Sequence, residues 1–266
     1  MKHFKLNPFI LTALIALLTV LPAQAKTTLK LATVTPDHHA YTKGAQEFAR
    51  LVEEATNGEV VIKVYGGGRL GKGERELLEG LQLGTIDLAV TATGPVSNFS
   101  EDMGVVDLPF LFTSNEHVDK VLDGPIGRSL LDGIEKADIK GLAFFENGFR
   151  NFTNSKRSLL TPEDFAGLKF RTMENPVHLT SVRQLGAQAV PMSWGEVYTS
   201  LQTGVIDGQE NPVAIVFAFK LSEVQKYLKW TKPSLSRPWR RSTTSSAKNI
   251  RAGCGCLSAS HFPLPS

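Results

Sequence analysis

One seven-residue pattern occurs twice, and it limits the architecture of this chain more than any other feature. Leu81-Gln82-Leu83-Gly84-Thr85-Ile86-Asp87 matches Leu201-Gln202-Thr203-Gly204-Val205-Ile206-Asp207, 120 residues further on. In both copies a helix is expected to end at Gly, which takes the left-handed C-cap conformation without a steric penalty. A strand is expected to begin at the next apolar residue. The flanks of the first copy agree. Leu29 to Val34 reads as a buried strand, and Ala45, Phe48, Ala49, Val52 and Ala55 recur at helical spacing until Asn57-Gly58. Val60 to Tyr65 and Ile86 to Thr91 are further strands, with a helix over Glu76 to Leu83. This alternation predicts an α/β fold with a largely parallel sheet. Two copies predict two similar lobes, and a cleft between lobes is the usual place for a small ligand.

The second half repeats the theme. Gly141 to Glu146, Leu168 to Thr172 and Ala187 to Pro191 read as strands. Thr161-Pro162-Glu163-Asp164 reads as a helix start, Asn175-Pro176 opens another helix, and Ser193-Trp194-Gly195-Glu196 has the form of a capping box. Gly66 to Gly73 holds five glycines, but its Gly-Lys is not followed by Ser or Thr, so it is not a Walker loop. A strand-to-helix turn is the plain reading, with a phosphate cradle as the alternative. His38-His39 reads as a solvated turn and Trp194 as core or cap packing.

The N-terminus carries an address. Lys2 and Lys5 precede an apolar run from Phe9 to Leu21, then Pro22 and Ala23-Gln24-Ala25. This is the layout of a secretory signal peptide, with cleavage expected after Ala25. The run is too short for a spanning helix, which needs about 20 residues. Of 29 basic residues, two lie before Lys26 and six beyond 231, leaving 21 against 26 acids in between. The body is therefore acidic, and no basic surface for nucleic acid is expected. Cys254 and Cys256 have no zinc spacing, so no metal or other cofactor is expected.

Several ordered motifs together resemble one family. They are Leu70-Gly71 with Glu74-Arg75, Asp107-Leu108-Pro109-Phe110, Gly148 to Asn154, Thr161 to Asp164, Gly167 to Arg171, and Asp207-Gly208-Gln209-Glu210-Asn211-Pro212. Over residues 29 to 231 the chain closely resembles the solute-binding subunits of tripartite ATP-independent periplasmic (TRAP) transporters, of the DctP type. The resemblance implies a two-lobed periplasmic binding protein fold with the ligand cleft between the lobes. Lobe I would span 26–149 and an incomplete lobe II 150–231, after a signal peptide at 1–25. It implies a receptor, not an enzyme, that captures a small organic acid and delivers it to TRAP membrane subunits. It also assigns roles. Arg171 takes the place of the carboxylate-binding arginine, Arg150 that of the second arginine, and Asn211 that of a side-chain amide donor. Glu74 and Thr93 are expected to line the lobe I side. Physical chemistry supports Arg171, because the planar guanidinium offers a carboxylate two parallel hydrogen bonds. The plain alternatives are an interlobe ion pair for Arg171, a surface charge for Arg150 and a turn residue for Asn211.

The resemblance stops near Thr231. Residues 232–266 hold no acid, few apolar residues and both cysteines. No helical or strand period survives, so the segment is expected to lack regular structure, as a shifted reading frame or a wrongly joined end would. Two other functions stay open. One is a ligand-sensing module for a signalling partner. The other is a periplasmic hydrolase, against which stands the lack of GxSxG, HExxH or a placed Cys-His pair.

Overall fold

The computed structural model describes residues 26–229 and 255–260. The expected signal peptide and its cleavage site lie outside the described residues, as does most of the segment from 232 onward. No helix among the described residues is long and apolar enough to cross a membrane.

The first sheet is built around β1 (Thr27–Thr33), which pairs in parallel with β2 (Val60–Tyr65) and β3 (Leu88–Ala92). Both faces of this sheet are covered. Leu31 and Leu88 pack with Tyr41, Ala45 and Ala49 of α1 (Ala40–Ala55). Their neighbours Ala32 and Ala89 pack instead with Leu77, Leu78 and Leu81 of α2 (Glu74–Gln82). Covering both faces is why β3, Leu-Ala-Val-Thr-Ala, is buried at every residue and does not alternate. His39 is not a solvated turn residue. It is buried, and its Nδ1 caps α1 by accepting from the Tyr41 N–H (3.2 Å).

Periodicity singles out nothing between residues 93 and 138 because the helices there are short. They are α3 (Thr93–Val96), a 3₁₀ segment Glu101–Asp107, α4 (Asn115–Leu122) and α5 (Pro125–Gly133). β4 (Ile139–Phe145) completes the first half, and the chain then crosses through residues 146–149 to the second sheet.

The second sheet contains β5 (Arg150–Asn154), β6 (Lys169–Thr172), β7 (Gln188–Pro191), β8 (Gly208–Pro212) and β9 (Tyr227–Lys229), in the order β7-β6-β8-β5-β9. β6 runs parallel to β7 and β8, while β5 is antiparallel to β8 and β9. Helices α6 (Pro176–Gln184), α7 (Trp194–Thr203) and α8 (Val213–Ala218) connect them. Phe152, Phe165 and Phe170 form an aromatic core, with ring centroids 4.9–5.5 Å apart. The Thr161 capping box forms, but it caps a single 3₁₀ turn, Pro162–Phe165. The expected capping box at Ser193 does not form: the Ser193 side chain makes no cap bond to α7.

The expectation that the segment beyond 232 lacks regular structure is corrected at its far end. Gly255–Ser260 forms β10, inserted antiparallel between β3 and β4, giving the order β2-β1-β3-β10-β4. The first sheet thus draws on chain well outside residues 26–149. Facing strand edges offer rows of backbone donors and acceptors, and pairing with them requires no apolar period in the inserted strand.

The repeated heptapeptide does the same work in both lobes. Gly84 and Gly204 take φ of 68° and 75°. Asp87 Oδ2 accepts from the Lys30 backbone N–H (2.7 Å), and Asp207 Oδ2 from that of Lys169 (2.9 Å). Each carboxylate thereby ties the end of one helix–turn unit to a strand of its sheet. A hydrogen bond to a charged group contributes roughly 1.5–3 kcal/mol net. Asp207→Ala is expected to lower the unfolding free energy by about that amount in urea titration, with Asp207→Asn intermediate.

Candidate functional site

The site forms where β5, β6 and β8 present polar residues to the first lobe. β8 reads Gly-Gln-Glu-Asn-Pro, and all five residues are buried. Register aligns Asn151 with Asn211 and Arg150 with Pro212 on one side of it, and Arg171 with Gln209 on the other. The two arginines therefore flank one strand.

They are held differently. Arg150 is saturated by its neighbours. Its Nε pairs with Glu210 Oε2, and its Nη2 donates to Glu210 Oε1 (2.9 Å), to the Glu210 carbonyl (2.7 Å) and to Asn211 Oδ1 (3.1 Å). Arg171 is 2% exposed, and its one hydrogen bond among the described residues runs from Nε to the Met192 carbonyl (3.0 Å). Its guanidinium lies over the Trp194 ring, 5.4 Å from the centroid. Burial draws the pKa of Arg171 down to about 10 against the pull of Glu74, so it is cationic at neutral pH. Burial also raises the Glu74 carboxyl, an effect that Arg171 opposes.

A second buried group links the lobes. His178, on α6, places Nδ1 3.3 Å from Glu210 Oε1 and Nε2 3.5 Å from Asp107 Oδ1. Burial alone would lower its pKa, but Glu210 and Asp107 outweigh burial and hold it at about 9. Burial opposes the ionisation of Glu210 in turn, yet Arg150 and His178 keep it at about 2. Asn175 of the second lobe donates to Gly94 O, Ser97 Oγ and Asp107 Oδ2 of the first, each at 3.0 Å.

Two cavities adjoin here. The larger, about 250 Å³, is lined mainly by apolar side chains including Leu108, Phe112 and Phe149, with Arg150, His178, Glu210 and Asp107 at one end. Those four charges already answer one another. The smaller, about 20 Å³, is walled by Arg171, Arg150, Glu74, Asn211, Tyr41 and Trp194. It holds the one of these arginines without a carboxylate partner, so chemistry favours the smaller cavity as the anion site. At about 20 Å³ it has room for little more than a water molecule.

Of the five residues named from sequence, Arg171, Arg150, Glu74 and Asn211 line this cavity together. Thr93 does not. It lines the larger cavity, and its hydroxyl donates to Asp107 (3.0 Å). The Asn211 amide donates to Gln209 Oε1 (2.5 Å). Sequence reasoning missed Tyr41, Asn147 and His178, and took Trp194 for packing. Trp194 does pack, edge-on to Phe219, but it also walls the site. Asn147 Oδ1 is buried there without a hydrogen-bond partner in the described structure. Three polar residues in a row within a strand were the available signal, since buried polar groups must be paired. Among the described residues no cluster suits a metal ion.

Comparison with known proteins adds the following. Residues 31–237 match the family model "Bacterial extracellular solute-binding protein, family 7". A solute-binding protein of Verminephrobacter eiseniae is 42% identical over 209 residues, covering 79% of this chain and 62% of that protein. The C4-dicarboxylate-binding periplasmic protein DctP of Rhodobacter capsulatus is 38% identical, covering 81% of this chain and 65% of its own length. This chain thus spans less than two thirds of these relatives. The crystal structure of a TRAP periplasmic solute-binding protein from Polaromonas sp. JS666, bound to D-erythronate, is 40% identical with a TM-score of 0.78. That match covers 88% of this chain and 72% of the other.

The folded pKa of His178 lies above the ordinary histidine value of 6.5. Its protonation therefore adds stability that is complete below about pH 6.5 and is lost as pH rises through about 9. Melting temperature measured from pH 6 to 10 is expected to fall more steeply in the parent protein than in His178→Gln.

Proposed function

This chain belongs to family 7 of the bacterial extracellular solute-binding proteins, and we propose that it captures a small organic acid and hands it to TRAP membrane subunits. The observation that carries the proposal is Arg171, a buried cation that makes no ion pair within 4.0 Å among the described residues, although Glu74 shares its cavity, set in the cleft between two lobes. A carboxylate entering the cleft loses its water and needs fixed donors in exchange. Arg171 lines the cavity, and its Nε bond to Met192 together with the Trp194 ring holds the guanidinium in place. Two parallel charge-assisted bonds can then form at little ordering cost. Arg150 contributes positive field but is neutralised by Glu210, so it acts as the weaker anchor.

Two further observations narrow the reading. The unpartnered Asn147 Oδ1 would accept a ligand hydroxyl, which favours a hydroxylated acid over a plain dicarboxylate. The D-erythronate in the Polaromonas protein is consistent with that class. Periplasmic export is supported by the three-part N-terminus, with cleavage after Ala25 as part of the proposal.

Calorimetric titration with aldonates, uronates and C4-dicarboxylates is expected to show one site, with the acid recovered chemically unchanged. Arg171→Ala removes two bonds worth roughly 1.5–3 kcal/mol each, a loss of a hundred-fold or more in affinity. Arg150→Ala is expected to cost less. Equal affinity in the Arg171→Ala protein, or turnover of the acid, would overturn the reading.

A further inference from the structure

The cleft has two unlike edges. One is bonded: Asn175 reaches across to Gly94 O, Ser97 Oγ and Asp107 Oδ2. The other brings Lys72-Gly73 of the first lobe against Ser193-Trp194-Gly195 of the second, and no hydrogen bond crosses it among the described residues. What marks this second edge is a pair of missing side chains. A Cβ on Gly73 would stand 2.2 Å from Ser193 Oγ and 3.3 Å from Ser193 Cβ. A Cβ on Gly195 would stand 2.8 Å from Lys72 Cβ and 3.1 Å from the Lys72 carbonyl.

Neither glycine is required by its own backbone. Gly73 has φ −127° and ψ 153°, a conformation open to any residue. Gly195 lies in the first turn of α7 and is not among the positive-φ residues. Alanine is the better helix former at such a position. Among the described residues, the nearest atoms that would crowd a side chain at either place belong to the opposite lobe. Ser193 fits the same account. As the N-cap of α7 it makes no capping bond, and its hydroxyl lies instead at the Gly73 contact. The positions are also adjacent to the site. Glu74 follows Gly73 on the first lobe, and Trp194 lies between Ser193 and Gly195 on the second, stacked with Arg171, so this edge joins the Glu74 wall of the cavity to its Arg171–Trp194 wall.

We propose that Gly73 and Gly195 form the closing edge of the cleft, letting the lobes shut over the bound acid and thereby setting its affinity. The proposal rests on the cleft being the acid site. Both are positioning residues, acting through Glu74 and Trp194 without touching the ligand.

Three variants test it. Gly195→Ala should leave the melting temperature of the ligand-free protein unchanged or raised, yet weaken acid binding roughly ten- to hundred-fold, as overpacking of a tight contact does. Gly73→Ala should weaken binding, and adding Ser193→Gly, which removes the colliding atoms, should restore it. Separately, Gly73→Cys with Ser193→Cys should form a disulfide on oxidation without any ligand, since a Cβ separation of 3.3 Å is near the usual 3.5–4.5 Å. Mass spectrometry of peptides joined through positions 73 and 193 reads that result. Unchanged affinity in Gly195→Ala, failure of Ser193→Gly to restore binding, or absence of the cross-link would each overturn the closing edge. A parent protein that binds no acid but forms the cross-link would overturn the acid-site reading and leave the closing edge standing.

Discussion

β8 carries Gln209, Glu210 and Asn211 through the middle of the second sheet, each 5% exposed or less. Leaving one such group unbonded in the interior costs roughly 1–3 kcal/mol, so the surroundings are arranged to bond them. Gln209 donates to Thr153 Oγ1 (2.8 Å), Thr153 to Gln225 (3.0 Å), and Gln225 to Ser155 Oγ (3.0 Å). Glu210 takes Arg150 and His178. Arg150, His178, Thr153 and Gln225 are all engaged directly or through one another in satisfying this one strand.

The same requirement divides the labour between the arginines. Arg150 and Glu210 form a buried pair that is balanced within itself, and such a pair mainly fixes geometry. Arg171 has no such partner. Its desolvation is offset by a carbonyl, an aromatic face and the field of more distant acids. An anion-binding site needs at least one cation free of an ion pair, and among the described residues Arg171 makes none within 4.0 Å, which is what supports the proposed role. His178 extends the balanced network to Asp107, so the charges around Arg150 also join the second lobe to the first.

Much of the fold was legible because its signals are short-range. The glycine C-caps at 84 and 204, the buried run of β3 and the helical spacing of α1 depend on neighbours within a few residues. The 93–138 region was not legible, since its short helices offer too few turns for a period to appear. Ser193 misled because its sequence suits a cap while its hydroxyl lies against Gly73 of the opposite lobe. Thr93 misled for a similar reason. It lies in the expected lobe, but Asp107 draws its hydroxyl toward the other cavity.

By itself, the sequence determined two α/β lobes and placed an arginine at the end of an apolar strand, features set by local propensity and periodicity. The tertiary structure alone decided which arginine would be neutralised, since Arg150 meets Glu210 only through the antiparallel register of β5 and β8. It alone decided that β10 fills the gap between β3 and β4, and that Gly73 faces Ser193. Those pairings join residues far apart in the chain, and no local pattern encodes which distant surface will arrive.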